Sequence, residues 1–220
     1  KAVLHGVKPK KKEPWPIIEI MGPPNTGKKM ITALVAQRMM GHCLNLPLLD
    51  FNSITGGALI HSISQHAADL EKNPHWWAHI YAANIHEQSS KLLTLAETGP
   101  VIVSNYYHSF RVWMRAAGLK DLSGYFGPLP LPNHTFLLTG ASYTTRNVEG
   151  NFSSDFLVRV NRGMLGPRTG ATTKIVLEQY SDREAWKAFN SAAQQITQVL
   201  EKKYKLPVDY GQLYTHLSRN

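Results

Sequence analysis

The sequence predicts an α/β fold, a parallel sheet of about five strands between two layers of helices. Three observations carry this reading. Short apolar runs rich in Val and Ile alternate with longer segments of helical spacing. Most of the runs end at glycine or a short polar turn, and the next helix opens close behind. No internal repeat or low-complexity tract interrupts the alternation over 220 residues. Strands apolar on both faces and separated by helices belong to parallel sheets covered on both sides.

The elements follow in order. The first strand, 17–21, is β-branched and stops at Gly22. Helix 28–40 places Ile31, Leu34, Val35 and Met39 on one face. The apolar run 46–51 reads as the second strand, ending near Asp50. Thr55, Gly56 and Gly57 form a turn that opens a helix to about residue 70. Pro74 marks a helix start, and 76–96 is a long helix closed by Gly99 and Pro100. Strand 101–103 leads to helix 108–117, stopped by Gly118, and strand 135–139 ends at Gly140. Two short helices, 142–148 and 151–160, enter a Gly- and Arg-rich stretch, 159–168. Strand 174–177 and a long helix, 181–202, complete the chain.

Directly after the first strand stands Gly22-Pro23-Pro24-Asn25-Thr26-Gly27-Lys28-Lys29-Met30. Gly22, four residues, Gly27 and Lys28 match the phosphate-binding loop up to its last position. Glycines let the backbone curl so that its N–H groups and the helix N-terminus face a phosphate. The strand–loop–helix context makes this a P-loop NTPase fold. Gly22, Asn25, Thr26, Gly27, Lys28 and Lys29 are the expected binding residues for ATP or another nucleotide. The loop normally continues with a Ser or Thr whose hydroxyl ligates Mg²⁺. Here that residue is Lys29, so Mg²⁺ is not expected to be held in the usual way.

Charge separates the chain into two parts. Of the net charge of +9, +4 lies in residues 1–16, where Lys8, Lys10, Lys11 and Lys12 precede Pro14 and Pro16. This reads as an extended basic arm, either a solvated tail or a contact for nucleic acid or an acidic partner. Residues 17–220 form one domain, with a small lid around 141–170. Only 18% of residues are charged, which points to a surface covered by protein partners. Cys43 is the only cysteine, consistent with an intracellular reducing compartment. No run is long and apolar enough to span a bilayer. The chain opens on Lys1, as a protein stripped of a leader would.

The loop and the order of features after it resemble nucleoside monophosphate kinases, most closely thymidylate kinases, over residues 17–200. The Gly-Pro-Pro opening resembles adenylate kinases, which place a Thr where this chain has Met30. Thymidylate kinases follow the second strand with Arg-Glu-Pro and Gly-Gly; here Ser53-Ile54-Thr55 precedes Gly56-Gly57. Their central helix carries Ala-Ala-Asp-Arg; here it reads Ala82-Ala83-Asn84-Ile85. Their third strand ends in Asp-Arg-Tyr, a carboxylate near the metal and an arginine on the acceptor phosphate; here Ser104-Asn105-Tyr106 stands there. Ser109, Trp113 and Ala116-Ala117-Gly118 keep the pattern, and Arg146, Arg159, Arg162 and Arg168 supply cations in the lid region.

These substitutions run in one direction: glycines and core apolars stay, while a hydroxyl, arginines and carboxylates go. Phosphoryl transfer relies on positioned charge and a metal ion. The expectation is a kinase-like domain without confident catalytic or metal-ligating residues. It would serve as a structural or nucleotide-binding subunit of a larger assembly, with the mitochondrial matrix as its compartment. The alternative is an active enzyme transferring phosphate from ATP to dTMP or a related nucleotide, with Asp50 or another carboxylate taking over Mg²⁺.

Other constellations are weaker. His75 and His79 lie four apart with His86 near the same face, but no Cys or carboxylate completes a metal set at a recognisable spacing. Trp76, Trp77, Tyr81, Tyr106, Tyr107, Phe110 and Trp113 suit core packing more than base stacking. Ser104, His108 and Ser109 lack the glycine elbow of a nucleophile.

Overall fold

The computed structural model describes residues 13–23, 26–46, 55, 56, 58, 72–140, 153–166, 170, 172–177, 184–206, 208 and 209. Five strands form one parallel sheet: β1 (Ile17–Met21), β2 (His42–Asn45), β3 (Val101–Ser104), β4 (His134–Thr139) and β5 (Thr173–Val176). Their spatial order is β2-β3-β1-β4-β5. The helices are α1 (Lys28–Arg38), α2 (Pro74–Thr98), α3 (Tyr107–Ala116), α4 (Ser123–Phe126), α5 (Ser154–Leu165) and α6 (Ala185–Tyr204).

β1 is central and wholly buried, so its alternate side chains feed two separate cores. Ile18 and Ile20 face Ile31 and Val35 of α1 and Ala193 and Ile196 of α6. Ile17 and Met21 face the other layer, with Ile85 of α2, Phe110 of α3 and Phe156 of α5. Glu19 alternates with Ile18 and Ile20, so it points to the second core. β1 pairs with β3 (Ile18 opposite Ile102) and with β4 (Ile20 opposite Phe136), so β1 ends flanked by two strand ends. The loop that follows therefore emerges at a crevice, where ligands bind in open α/β sheets.

The second strand corrects the sequence reading. It runs through His42–Asn45, pairing His42 with Val101 and Asn45 with Ser104, with Leu46 in a bend behind it; the rest of the expected run 46–51 lies outside the described residues. This edge strand buries only Leu44 and leaves Cys43 exposed, so no apolar run announces it. A Cβ on Gly41 would stand 2.4 Å from the Pro100 carbonyl oxygen, so the chain enters β2 pressed against the start of β3. Helix α5 extends past the expected 160 to Leu165, and α4 was not anticipated. The expected helices up to residue 70 and at 142–148, and the basic arm with Lys8, Lys10, Lys11 and Lys12, lie outside the described residues. Among the described residues no helix is long and apolar enough to cross a membrane.

At the end of the sheet away from the loop, His134 is buried between β5 and α6. Lys203 Nζ, which can only donate, lies 2.9 Å from His134 Nδ1, so Nδ1 accepts. Nε2 then carries the proton and donates to Thr173 Oγ1 at 2.9 Å. Burial, with the Lys203 ammonium second, lowers the imidazole to about 4. An unfolded histidine titrates near 6.5, so this neutral ring stabilises the fold above pH 6.5, and that contribution is lost as pH falls toward 4. Urea unfolding at pH 7 and pH 5 measures it: stability should fall on acidification, and His134→Gln should flatten the dependence.

Candidate phosphate-binding site

The loop between β1 and α1 is shaped by close contacts at both glycines. A Cβ on Gly22 would lie 3.1 Å from both the Cβ and the carbonyl oxygen of Leu138 on β4. Gly27 has φ +70°, and its Cβ would stand 2.3 Å from Cε1 of Phe189 on α6. The left-handed conformation and the aromatic ring each require glycine there. Thr26 is buried and donates its hydroxyl to the Pro23 carbonyl at 2.8 Å.

Lys28 Nζ donates to the same carbonyl at 2.6 Å, so its ammonium folds back across the loop. Lys29, beside it, is exposed. Both lysines occupy the first turn of α1, which holds no acidic residue. Cations are disfavoured at that positive helix end, by about 0.3–1 kcal/mol each when exposed. Burial, then the Lys29 charge, lowers Lys28 to about 8. Thr26, Gly27, Lys28, Lys29, Met30 and Asn105 line a cleft of about 490 Å³ here.

Asn105, from the turn after β3, also lines the cleft. It has φ +56°, a conformation Asn tolerates better than most residues. Glu19 holds the next turn from below. Its Oε1 accepts from Tyr106 N at 3.1 Å, Ser109 N at 3.0 Å and Ser109 Oγ at 3.0 Å. Its Oε2 accepts from His108 N at 3.0 Å. The side chain is fully buried, so desolvation raises its carboxyl above the usual range, while these donors pull it back down. Backbone N–H groups cannot receive a proton, which favours the ionised form. At the other end of α3, Arg159 Nε donates to the Ala116 carbonyl at 2.9 Å. A carboxylate at the N-terminus and a guanidinium at the C-terminus both suit the helix dipole.

The sequence-predicted residues divide accordingly. Gly22, Thr26, Gly27, Lys28 and Lys29 meet in the loop, and Asn25 lies outside the described residues. Of the lid arginines, Arg159 holds α3 and contacts the Phe156 ring rather than the cleft. Arg162 is exposed on α5, and Arg146 and Arg168 lie outside the described residues. Asn84 donates to Thr55 Oγ1 at 3.0 Å, and the Thr55 hydroxyl in turn donates to Glu87. Ser104 Oγ donates to Asn45 Oδ1 at 2.7 Å. Trp77, Tyr106 and Phe110 are buried core and Trp76 is exposed. His75 and His86 bond the hydroxyl and carbonyl of Tyr125, and the His79 ring packs edge-on to it.

Among the described residues no group of His, Cys, Asp or Glu is arranged to hold a metal ion. The cleft lining offers ammonium and thioether where the loop usually has a hydroxyl, and Glu19 is committed to four donors. The described side chains therefore do not fit Mg²⁺; Asp50 lies outside them. Sequence reasoning missed Glu19 and Phe189. The signal for Glu19 was present, as a lone acid inside the apolar strand Ile17-Ile18-Glu19-Ile20-Met21.

Neither a family model nor a curated protein sequence matches the chain. Solved structures do. Thymidylate kinase from Candida albicans superposes with a TM-score of 0.64 at 14% identity, over 91% of this chain and 97% of that one. Thymidylate kinase from Ehrlichia chaffeensis gives 0.60 at 14% identity, over 86% and 99%. The chain has the P-loop fold of these kinases. The loop geometry yields a prediction about folding: Gly27→Ala should cost at least about 2 kcal/mol, from the left-handed backbone and the Phe189 ring together. Denaturant unfolding should show a smaller cost for Gly27→Ala in a Phe189→Ala background.

Proposed function

We propose that the chain is a nucleotide-binding domain that holds a polyphosphate in its loop without transferring it. One observation carries this reading: Lys28 and Lys29 stand together at the N-terminus of α1 in a cleft whose described lining offers no carboxylate, and whose one hydroxyl, on Thr26, is bonded to the Pro23 carbonyl. Two ammonium groups at the positive end of a helix repel it and each other. A bound phosphate relieves both, and the loop N–H groups supply its hydrogen bonds. Lys29 takes the position of the metal's hydroxyl ligand and offers a charge in its place. By the resemblance, the neutral Asn105 falls at the position of the arginine that holds the acceptor phosphate in thymidylate kinases, and Asn84 is bonded to Thr55.

The fold favours a second reading, an active nucleoside monophosphate kinase acting on dTMP with ATP, because both solved structures described above are thymidylate kinases. Calorimetry and a coupled turnover assay separate the two. ATP is expected to bind equally, within about twofold, in EDTA and in Mg²⁺, and Lys28→Ala to weaken binding about tenfold or more. A bound phosphate stabilises the charged ammonium, so affinity should hold below pH 8 and weaken above it, by up to about tenfold per pH unit as Lys28 deprotonates. Formation of dTDP at ordinary kinase rates, on the order of 1–100 per second, would establish the second reading instead.

A further inference from the structure

The chain carries a net charge of +9, and the two lysines of the loop account for only part of it. Four arginines lie on helices of the other layer: Arg111 and Arg115 on α3, Arg159 and Arg162 on α5. They are two separate pairs in the sequence and one cluster in the fold, and none of them lines the cleft. We propose that this cluster is a docking surface for a nucleic acid strand, held by its phosphate backbone.

The packing of α3 on α5 brings the arginines together. Arg159 Nε donates to the Ala116 carbonyl at 2.9 Å, and a Cβ on Gly163 would stand 2.9 Å from Val112 Cγ1. These contacts pair 116 with 159 and 112 with 163, so the two helices run antiparallel. Arg111, Arg115 and Arg162 each stand immediately before a contact residue, Val112, Ala116 or Gly163. One residue turns an α-helix by about 100°, and in an antiparallel pair the same offset leads to the same side of both helices. That side is solvent: Arg115, Arg159 and Arg162 are exposed, and Arg111 is half-buried. The opposite offset leads inward, where Met164 is buried and Trp113 packs on Phe156. A helical turn is about 5.4 Å and packed axes lie about 8–10 Å apart, so the four side chains are rooted in a patch roughly 10 Å across.

The cluster is rich in charge of one sign. The two helices hold a single acid, Asp155, in the first turn of α5, where the helix dipole favours it. Arg111 lies over the Tyr107 ring and Arg159 over the Phe156 ring, each at 5.7 Å from the centroid. A ring beneath a guanidinium limits its freedom, so less entropy is lost when it binds. All four cations are arginines, whose planar fork meets phosphate through two parallel hydrogen bonds. A nucleic acid strand repeats one negative charge per nucleotide, so it meets several clustered cations at once whatever its sequence. A protein partner would need an equal local excess of carboxylates.

Fluorescence anisotropy of a labelled single strand of about 20 nucleotides, titrated with the full chain between about 50 and 200 mM salt, tests the surface. Four phosphate contacts at about 0.7 each make affinity fall with roughly the third power of salt concentration. Arg111→Gln combined with Arg115→Gln should weaken binding about tenfold or more at the lower salt and reduce that power by about 1.4, with the urea midpoint unchanged. The same loss should appear in a chain whose Lys8, Lys10, Lys11 and Lys12 are replaced by Ala, which separates the helices from the basic arm. RNA and DNA of one sequence should bind within about threefold of each other, because phosphate contacts do not read the sugar. No binding at the lower salt overturns the inference, and so does wild-type affinity in the double variant. A hundredfold preference for RNA or DNA overturns the backbone contact. Displacement of the strand by polyglutamate at equal charge concentration marks an acidic protein as the partner instead, and overturns it too. If the double variant does not fold, Arg162→Gln decides: about threefold weaker binding is expected, and wild-type affinity contradicts the inference.

Discussion

A carboxylate sealed inside the sheet governs the wall of the cleft. Glu19 sits in the central strand, on the face that otherwise buries Ile17 and Met21. An unpaired charge there would be prohibitive, at several kcal/mol even after relaxation. The fold answers by bringing the N-terminus of α3 onto it, so the strand, the left-handed turn at Asn105 and the helix are fixed as one unit. Arg159 completes the arrangement from α5 at the far end of the same helix. The position of the cleft wall is thus set by electrostatics inside the core as much as by apolar packing.

The loop is governed by the opposite sign of charge. Gly27 is held against Phe189 by shape, and the first turn of α1 begins there with two lysines and no acid. Lys28 finds an acceptor in the Pro23 carbonyl, so the loop on its own satisfies its ammonium with one of its own backbone oxygens. A phosphate would be a stronger acceptor than that carbonyl.

Much of this was legible in the sequence. The burial of β1, β3 and β4 follows from short β-branched and apolar runs, and the loop from its glycine spacing. The edge strand was not legible, because Cys43 is exposed and only Leu44 of β2 is buried, whereas the next residues form a more apolar run. Arg159 reads in sequence as a lid cation, but its helix turns it onto the Ala116 carbonyl, a contact between residues 43 apart. Phe189 reaches Gly27 from across the chain, and no local pattern encodes that. Glu19 was visible as an anomaly in its strand, yet its partners, nearly ninety residues away, appear only once β1 and β3 pair.

The central claim, that the loop holds a nucleotide it does not act on, is tested most directly by ³¹P NMR of ATP, dTMP, Mg²⁺ and the protein in one tube. The account predicts that the ATP phosphate resonances shift and broaden as protein is added, while no ADP or dTDP signals grow over hours. Growth of dTDP and ADP in equal amounts would contradict it, and ATP resonances unmoved by the protein would contradict it equally.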